Sequence, residues 1–373
     1  MIQTNPFVVH GYAGPEYFCD RVRETEYLVR TLTQTGNVLL TAQRRVGKTG
    51  LIEHCFQTSE IKGHYHTFLI DIYATKNLRE LVFLFGKAVM DTLRSKERNV
   101  WERFLAMLSS IRPNVTFDAM GMPSWGLELG DIKSPLVTLE EIFAYLEAAE
   151  MPCIVAFDEF QTIASYPETN VEALLRTHIQ HCKNCRFIFS GSQRHMLAEM
   201  FNTAARPFYQ STTTISLEPI ALDHYIAFAQ KHFEAAGKYI EEQTIREVYQ
   251  RFEGVTWYLQ YLLNTLYNMT AQGDKCTSDR IEEAMVIIMG QLDFNMASLV
   301  FQLPSKQKEL LYAICKEGKA QSLTSKKFLN KYRLTASMVQ AAIKGLLEKD
   351  YVSSELGVYF VYDKFLAEWV QRH

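Results

Sequence analysis

Hydrophobic positions in the first 220 or so residues fall into short apolar runs separated by helical patterns. Asn37–Thr41, Thr67–Tyr73, Cys153–Phe157, Arg186–Gly191 and Thr214–Leu217 are near-continuous apolar segments, the pattern of strands buried on both faces. Between them, Glu24–Thr33, Gly50–Phe56, Leu78–Leu93, Thr138–Ala149 and Asn170–His181 read as helices, on the spacing that lines up one apolar face. Thr138 followed by Glu141 reads as a capping box. Strands alternating with helices predict an α/β fold, a parallel sheet with helical layers on both faces. Asn114–Phe117 and Trp125–Leu129 flank Gly121-Met122-Pro123 and predict a β-hairpin insertion over residues 112–135.

After Glu218-Pro219 the pattern changes. Residues 222–300 show helical periodicity and no strand, as in a helical lid. Pro304 opens a third region, with helices at 305–317, 322–331 and 335–349 and a hairpin over Tyr351–Val361. Three helices and a hairpin is the order of a winged helix. The expected domains are 1–218, 219–303 and 304–373, and 373 residues suit two or three domains. A hydrophobic share of 47% with 22% charged residues excludes a chain dominated by disorder. No uninterrupted apolar run approaches the roughly 18–20 residues of a membrane span, and the N-terminus lacks a basic region followed by an apolar core. Seven scattered cysteines do not form a disulfide framework and fit a reducing compartment. The expectation is a cytoplasmic protein with no membrane partner. Cys182 and Cys185, with His178 and His181 upstream, have part of a zinc spacing, but no second cysteine pair accompanies them, which favours a free-thiol turn.

The sharpest chemical signal is Ala42-Gln43-Arg44-Arg45-Val46-Gly47-Lys48-Thr49-Gly50, between a predicted strand and a predicted helix. It matches the phosphate-binding pattern G-x-x-x-x-G-K-[ST], with Ala42 in place of the first glycine. Backbone N–H groups of such a loop and the positive end of the following helix cradle phosphate oxygens. Lys48 is the candidate for the β- and γ-phosphates, and Thr49 for a Mg²⁺ ion. Ala42 suffices if its backbone needs no positive φ, which only glycine adopts freely. Arg44 and Arg45 either assist phosphate binding or are solvated loop charges.

The strand Cys153–Phe157 delivers Asp158 and Glu159 to its C-terminal end, where open α/β sheets bind ligands. Asp158 suits a role on Mg²⁺, and Glu159 suits orienting or deprotonating an attacking water; a helix cap is the competing reading of the pair. Ser190-Gly191-Ser192-Gln193 ends the next strand. Ser192 and Gln193, ahead of Ser190, are candidates to sense a γ-phosphate or fix the water. Arg206 either supplies a cation to a γ-phosphate, in cis or to a neighbouring molecule, or is a surface arginine.

Together these residues resemble the archaeal-type ATPase family, found in archaea and bacteria, in the STAND branch of AAA+-related P-loop NTPases. Phe18-Cys19-Asp20-Arg21-Val22-Arg23-Glu24 resembles the family's F-x-G-R-x-x-E box, with Asp20 for glycine. The resemblance implies that Phe18 and Arg21 lie near the adenine. Gln43–Thr49 resembles the P-R-R-x-G-K-T loop, and Phe157-Asp158-Glu159-Phe160-Gln161 the acidic motif. The lid motif G-x-P is represented by Gly254-Val255-Thr256, with threonine for proline. The resemblance implies ATP and Mg²⁺ as cofactors, slow or partner-stimulated ATP hydrolysis, and a winged-helix output domain.

Charge is unevenly placed. Residues 304–373 carry 12 Lys and Arg against 7 Asp and Glu, a balance of +5, and the remainder carries 27 against 35, a balance of −8. Lys326, Lys327, Lys331 and Arg333 cluster where phosphate contacts would be made. The helix expected to read bases, Thr335–Lys349, offers only Thr335, Ser337 and Gln340 early, with Lys344 later, whereas base-reading helices usually begin with Arg, Asn or Gln. The tail is therefore expected to contact duplex DNA or a protein partner, with packing within the chain as the competing use of the winged helix. The expected function is a nucleotide-driven switch that hydrolyses ATP, with nucleotide-dependent self-association as a further expectation. The alternative is a nucleotide-gated DNA- or protein-binding regulator with negligible hydrolysis.

Overall fold

Branched and aromatic residues in the apolar runs favour extended backbone, and the runs form one five-stranded sheet. A computed structural model describes residues 5–34, 36–94, 114–117, 123–126 and 129–373. In chain order its first elements are α1 (Val22–Thr33), β1 (Val38–Ala42), α2 (Lys48–Phe56), β2 (His66–Asp71) and α3 (Leu78–Arg94). A hairpin of β3 (Asn114–Phe117) and β4 (Pro123–Gly126) follows, paired antiparallel, with its tip outside the described residues. Then come α4 (Pro135–Ala148), β5 (Cys153–Asp158), α5 (Val171–His181), β6 (Cys185–Gly191), α6 (Arg194–Asn202) and β7 (Thr213–Leu217).

The sheet order is β2-β5-β6-β1-β7, and every pairing is parallel. Successive side chains of a strand point to opposite faces. Leu39, Val155, Phe157, Phe187 and Phe189 accordingly enter one core with α3, α4 and α5. Val38, Leu40, Ile154, Ala156 and Ile188 enter the other with α1 and α2. Both faces are covered, as the continuous hydrophobicity of these strands requires.

The remaining elements are α7 (Leu222–Ala235), β8 (Tyr239–Ile240), α8 (Glu242–Arg251), α9 (Thr256–Met269), β9 (Lys275–Cys276) and α10 (Arg280–Phe301). They continue with α11 (Ser305–Glu317), β10 (Lys319–Gln321), α12 (Lys326–Tyr332), α13 (Ala336–Glu348), β11 (Val352–Glu355), β12 (Val358–Val361) and α14 (Lys364–Arg372). The fold is thus a parallel P-loop sheet with flanking helices, followed by helices and a C-terminal winged helix. Strands β10, β12 and β11 form the winged-helix sheet. Leu356 and Gly357 turn its hairpin with φ of 49° and 79°, the doubly left-handed turn that matches strand twist.

Two compact units result. One holds Val8–His224 together with Val255–Trp257, and the other holds the N-terminal residues to Phe7, Tyr225–Gly254 and Tyr258–His373. In the second unit α14 ties the helical region to the winged helix. Arg251 Nε and Nη2 donate to the two carboxylate oxygens of Glu368 at 2.8 and 2.9 Å, and Trp369 Nε1 donates to Asp293 at 2.8 Å.

Several expectations are corrected. Helix α4 starts at Pro135, so Thr138 is no cap; it is buried in the first turn and donates its hydroxyl to Ser134 O at 3.0 Å. Proline at the first helical position sets that start. The region expected to lack strands contains the two-residue parallel pair β8–β9, too short to show a period. Helix α10, with 22 residues, is long and apolar enough to cross a membrane by length and composition. Asp293 and neighbouring Gln and Asn residues interrupt its apolar run, which is why no uninterrupted stretch marks it. Ile281, Ala284, Met285, Ile288 and Met289 bury one of its faces.

Candidate nucleotide site

Parallel strands bring their C-terminal ends to one edge of a sheet, and adjacent β1, β6 and β5 deliver the candidate residues there. Ala42 ends β1, fully buried and paired with Leu217, and it lies outside the positive-φ positions of the chain. An extended residue needs no glycine, which explains the substitution. The left-handed positions fall later in the loop, at Arg45 with φ 67° and Gly47 with φ 97°. Gly47 caps α2 without a side-chain hydrogen bond. The first N–H groups of a helix have no partner within it, and here they follow directly on the loop.

Lys48 opens α2 and is 6% exposed. Burial pulls its pKa below the usual lysine range, against the opposing pull of Glu159 and Asp158. Its Nζ lies 3.9 Å from Glu159 Oε1. The Thr49 hydroxyl donates to Asp158 Oδ2 at 2.6 Å. Asp158 also accepts from the Ser190 hydroxyl and, at 3.0 Å, from the Glu159 N–H.

Glu159 has φ 56°, a left-handed conformation that costs about 1–3 kcal/mol and is found where a site fixes it. Its Oε2 accepts from Gln161 Nε2 at 2.6 Å and from the Ser192 hydroxyl at 2.8 Å. Arg44 Nε in turn donates to Ser192 Oγ at 3.0 Å. A continuous polar chain therefore runs from the phosphate loop through Ser192 to Glu159.

The structure brings Lys48, Thr49, Asp158, Glu159, Ser192 and Arg44 together. Asp71 ends β2 in register with Asp158; burial first, then the charges of Asp158 and Glu159, raise its pKa. By sequence, Gln161 is placed only as the last residue of the acidic motif, and Asp71 only within an apolar run; neither is assigned a role there. Their signal was position, one at the end of an apolar run and the other just past the acidic pair. Gln193 begins the turn into α6 as its N-cap.

Phe18 stacks on His54 of α2 with ring centroids 4.2 Å apart, and a Cβ on Gly50 would lie 3.6 Å from its ring. Arg21 is buried, donating to Glu24 at 2.6 Å and to the loop carbonyl of Val46 at 3.5 Å. Asp20, at φ 55°, occupies a backbone conformation that favours glycine, and its carboxylate meets His224 Nδ1 at 2.8 Å. Arg206 is engaged elsewhere. It pairs with Glu172 at 3.3 Å and Glu199 at 2.8 Å.

Hard oxygen donors are what Mg²⁺ prefers, and it usually takes one or two protein groups together with phosphates and water. Thr49 and Asp158 fit that set. Among the described residues no group of three or more His, Cys, Asp or Glu side chains could hold a metal ion. Cys182 and Cys185 are buried free thiols, and His178 stacks on Phe143 at 5.0 Å.

Residues 294–372 match a probable winged helix domain. No curated protein matches the chain. Among solved structures, the Walker-type ATPase of Pyrococcus abyssi is similar with a TM-score of 0.66 at 19% identity, over 98% of this chain and 99% of that one. The Aeropyrum pernix ORC2 protein in its ADPNP–ADP complexes gives 0.59 at 16% identity, over 99% and 96%. The ORC1 protein of the same organism, in complex with DNA, gives 0.55 at 13% identity, over 95% and 93%. At these identities the likeness is one of fold. Residues 18–262 match an ATPase domain predominantly from Archaea, and the chain, with the fold of an AAA+-related P-loop NTPase, belongs to that family.

Proposed function

We propose that this protein is a Mg²⁺-dependent ATPase of the STAND branch, acting as a nucleotide-driven switch with a winged-helix output domain. The observation that carries this reading is the Thr49–Asp158 contact at 2.6 Å beside Lys48 and Glu159. Loop amides and Lys48 bind the phosphates, and Thr49 and Asp158 hold the cation. When bound, Mg²⁺ supplies charge neutralisation on the transferring phosphoryl group. Glu159 orients a water and takes its proton, with Gln161 and Ser192 fixing the carboxylate. Phe18 and Arg21 belong to the adenine end, Gln43 and Gly50 to the flanks of the phosphate loop. Arg206, committed to Glu172 and Glu199, takes no step in cis.

A second reading is a nucleotide-gated regulator with negligible hydrolysis. It is favoured by the donors that already occupy Glu159 Oε2, since a carboxylate so held is a poorer base for water. For the output, Lys326, Lys327 and Arg333 are exposed on the winged helix, whereas Lys331 is paired with Glu317 at 2.6 Å. One similar structure, ORC1, is a DNA complex. We assign duplex DNA as the first partner to test, ahead of a protein partner or a second copy, and a cytoplasmic location. The deciding experiment is phosphate release from Mg²⁺-ATP by wild type and Glu159→Gln, with and without duplex DNA. Turnover lost in the variant supports the ATPase. ATP binding without turnover, under either condition, supports the regulator.

A further inference from the structure

Residues Val255–Trp257 lie far along the sequence yet group with the unit that holds the phosphate loop. Their contacts fall on two consecutive loop carbonyls. The Trp257 N–H donates to Arg45 O at 3.0 Å, and the Thr256 hydroxyl donates to Val46 O at 3.2 Å. The Arg45 guanidinium carbon lies 4.2 Å from the centre of a Trp257 ring, within the range of a cation–π contact. Trp257 is itself anchored through Nε1 to Val9 O at 3.1 Å.

A trans peptide is planar, so its C=O and N–H point in opposite directions. Holding Arg45 O and Val46 O toward residues 256–257 turns the N–H groups of Val46 and Gly47 away from them. Those amides belong to the stretch that must face a phosphate. A proline at 256 has neither a hydroxyl nor an N–H to give, so the contact to Val46 belongs to the threonine that this chain carries.

We propose that Thr256 and Trp257 are positioning residues for nucleotide binding, bracing the phosphate loop through its carbonyls so that its amides are set before the phosphates arrive. The proposal rests on the nucleotide-binding reading above. Arg45 serves this brace through Trp257, while Arg44 serves Glu159 through Ser192. Nucleotide affinity is the quantity the brace controls. The hydrolytic step, which depends on Glu159, is not.

The test uses the full chain, with ATP and ADP titrated by calorimetry. Thr256→Val keeps the side-chain shape and removes the donor. One lost hydrogen bond weakens affinity about fivefold, with kcat at saturating ATP unchanged. Thr256→Ser restores the affinity. Trp257→Phe keeps an aromatic face for Arg45 but loses the anchor to Val9, and it should fall between wild type and Trp257→Leu. The difference in tryptophan emission between wild type and Trp257→Phe should change when nucleotide is added.

Unchanged affinity in both Thr256→Val and Trp257→Leu overturns the brace, as does a lower melting temperature without a change in affinity. If Thr256→Val does not fold, the comparison of Trp257→Phe with Trp257→Leu decides alone. Lys48→Ala separates the two levels. Wild type that binds while Lys48→Ala binds at least about tenfold more weakly upholds the site, and the brace then stands or falls on residues 256 and 257. Wild type that takes up no nucleotide overturns the site reading and the brace with it.

Discussion

Thr49 and Asp158 stand 109 positions apart in the chain, and their side chains meet at 2.6 Å. The Ser190 hydroxyl holds the other oxygen of the same carboxylate. Strand adjacency creates the contact, because β5 and β1 both border β6. Thr49→Val removes the hydroxyl while keeping the shape of the side chain. It should leave metal-free ATP binding close to wild type and abolish most of the strengthening by Mg²⁺. ATP titrations in Mg²⁺ and in EDTA check this, and equal Mg²⁺ dependence in both proteins would count against Thr49 as a ligand.

Glu159 is the proposed base, and three donors share one of its oxygens. Glu159→Gln should keep ATP affinity and lower kcat by about 10²–10⁴-fold, the usual worth of a general base. Ser192→Ala removes a donor and the link to Arg44, so it should alter kcat more than KM. Single-turnover phosphate release measures both effects, and normal turnover by Glu159→Gln would place the base elsewhere.

In the proposed site Lys48 would bind phosphate as an ammonium, and burial lowers its pKa from the usual lysine value. Affinity for ATP should therefore fall with rising pH from below the ~10.4 of a free lysine. The sign for the empty protein is opposite. Between the folded and unfolded pKa values the unfolded chain binds more protons, so folding stability from this group rises with pH across that window. Bound phosphate works against the shift by favouring the charged form. Lys48→Ala should weaken ATP binding roughly 10- to 100-fold and remove the alkaline limb. Calorimetry across pH 7 to 10 reads both, and a limb that survives the substitution would belong to another group.

The sheet was legible because its strands are apolar on both faces, so Val38–Ala42 and Cys153–Asp158 announce themselves without any tertiary information. The phosphate loop and acidic pair followed from their places at strand ends. Asp20 was legible as a departure from the family box, but its cause was not. Its left-handed backbone and its contact with His224, about 200 positions away, are encoded in no local pattern. Gln161 and Asp71 were legible by position, one closing the acidic motif and the other near the end of an apolar run, but their roles were not, because those rest on a side-chain contact in the first case and a strand partner distant in the chain in the second. The partners of Thr256 and Trp257 are carbonyls some 210 positions away, which no local pattern encodes. The two-residue pair β8–β9 is shorter than any period that could reveal it.

Arg206 tests the reading of cations near the site. It bridges Glu172 and Glu199, and the Glu172 carboxylate is raised in pKa by burial, with Arg206 lowering it. Arg206→Ala should reduce stability by about 1 kcal/mol, since the pair is partly exposed. Phosphate release per folded molecule should not change. Denaturant melts beside turnover assays separate the two. A large loss of kcat without loss of stability would restore a catalytic role, and rescue on mixing with wild type would make that role one in trans.

The winged helix offers the clearest test of output. Lys326 and Lys327 are exposed in the first turn of α12, which Ser325 caps by accepting from Phe328 N at 3.3 Å. Helix α13 presents Ser337 and Gln340 but no early arginine or asparagine. Phosphate contact without base reading predicts binding of low sequence preference and steep salt dependence. Lys326→Glu with Lys327→Glu should weaken duplex binding uniformly across sequences and reduce the salt slope by about 2, one unit for each lost phosphate contact. Fluorescence anisotropy on two unrelated duplexes, each at several salt concentrations with ATP and with ADP, measures preference, slope and nucleotide dependence together. Strong preference for one duplex would assign base reading to α13. Binding indifferent to salt, or absent with either nucleotide, would turn the output toward a protein partner.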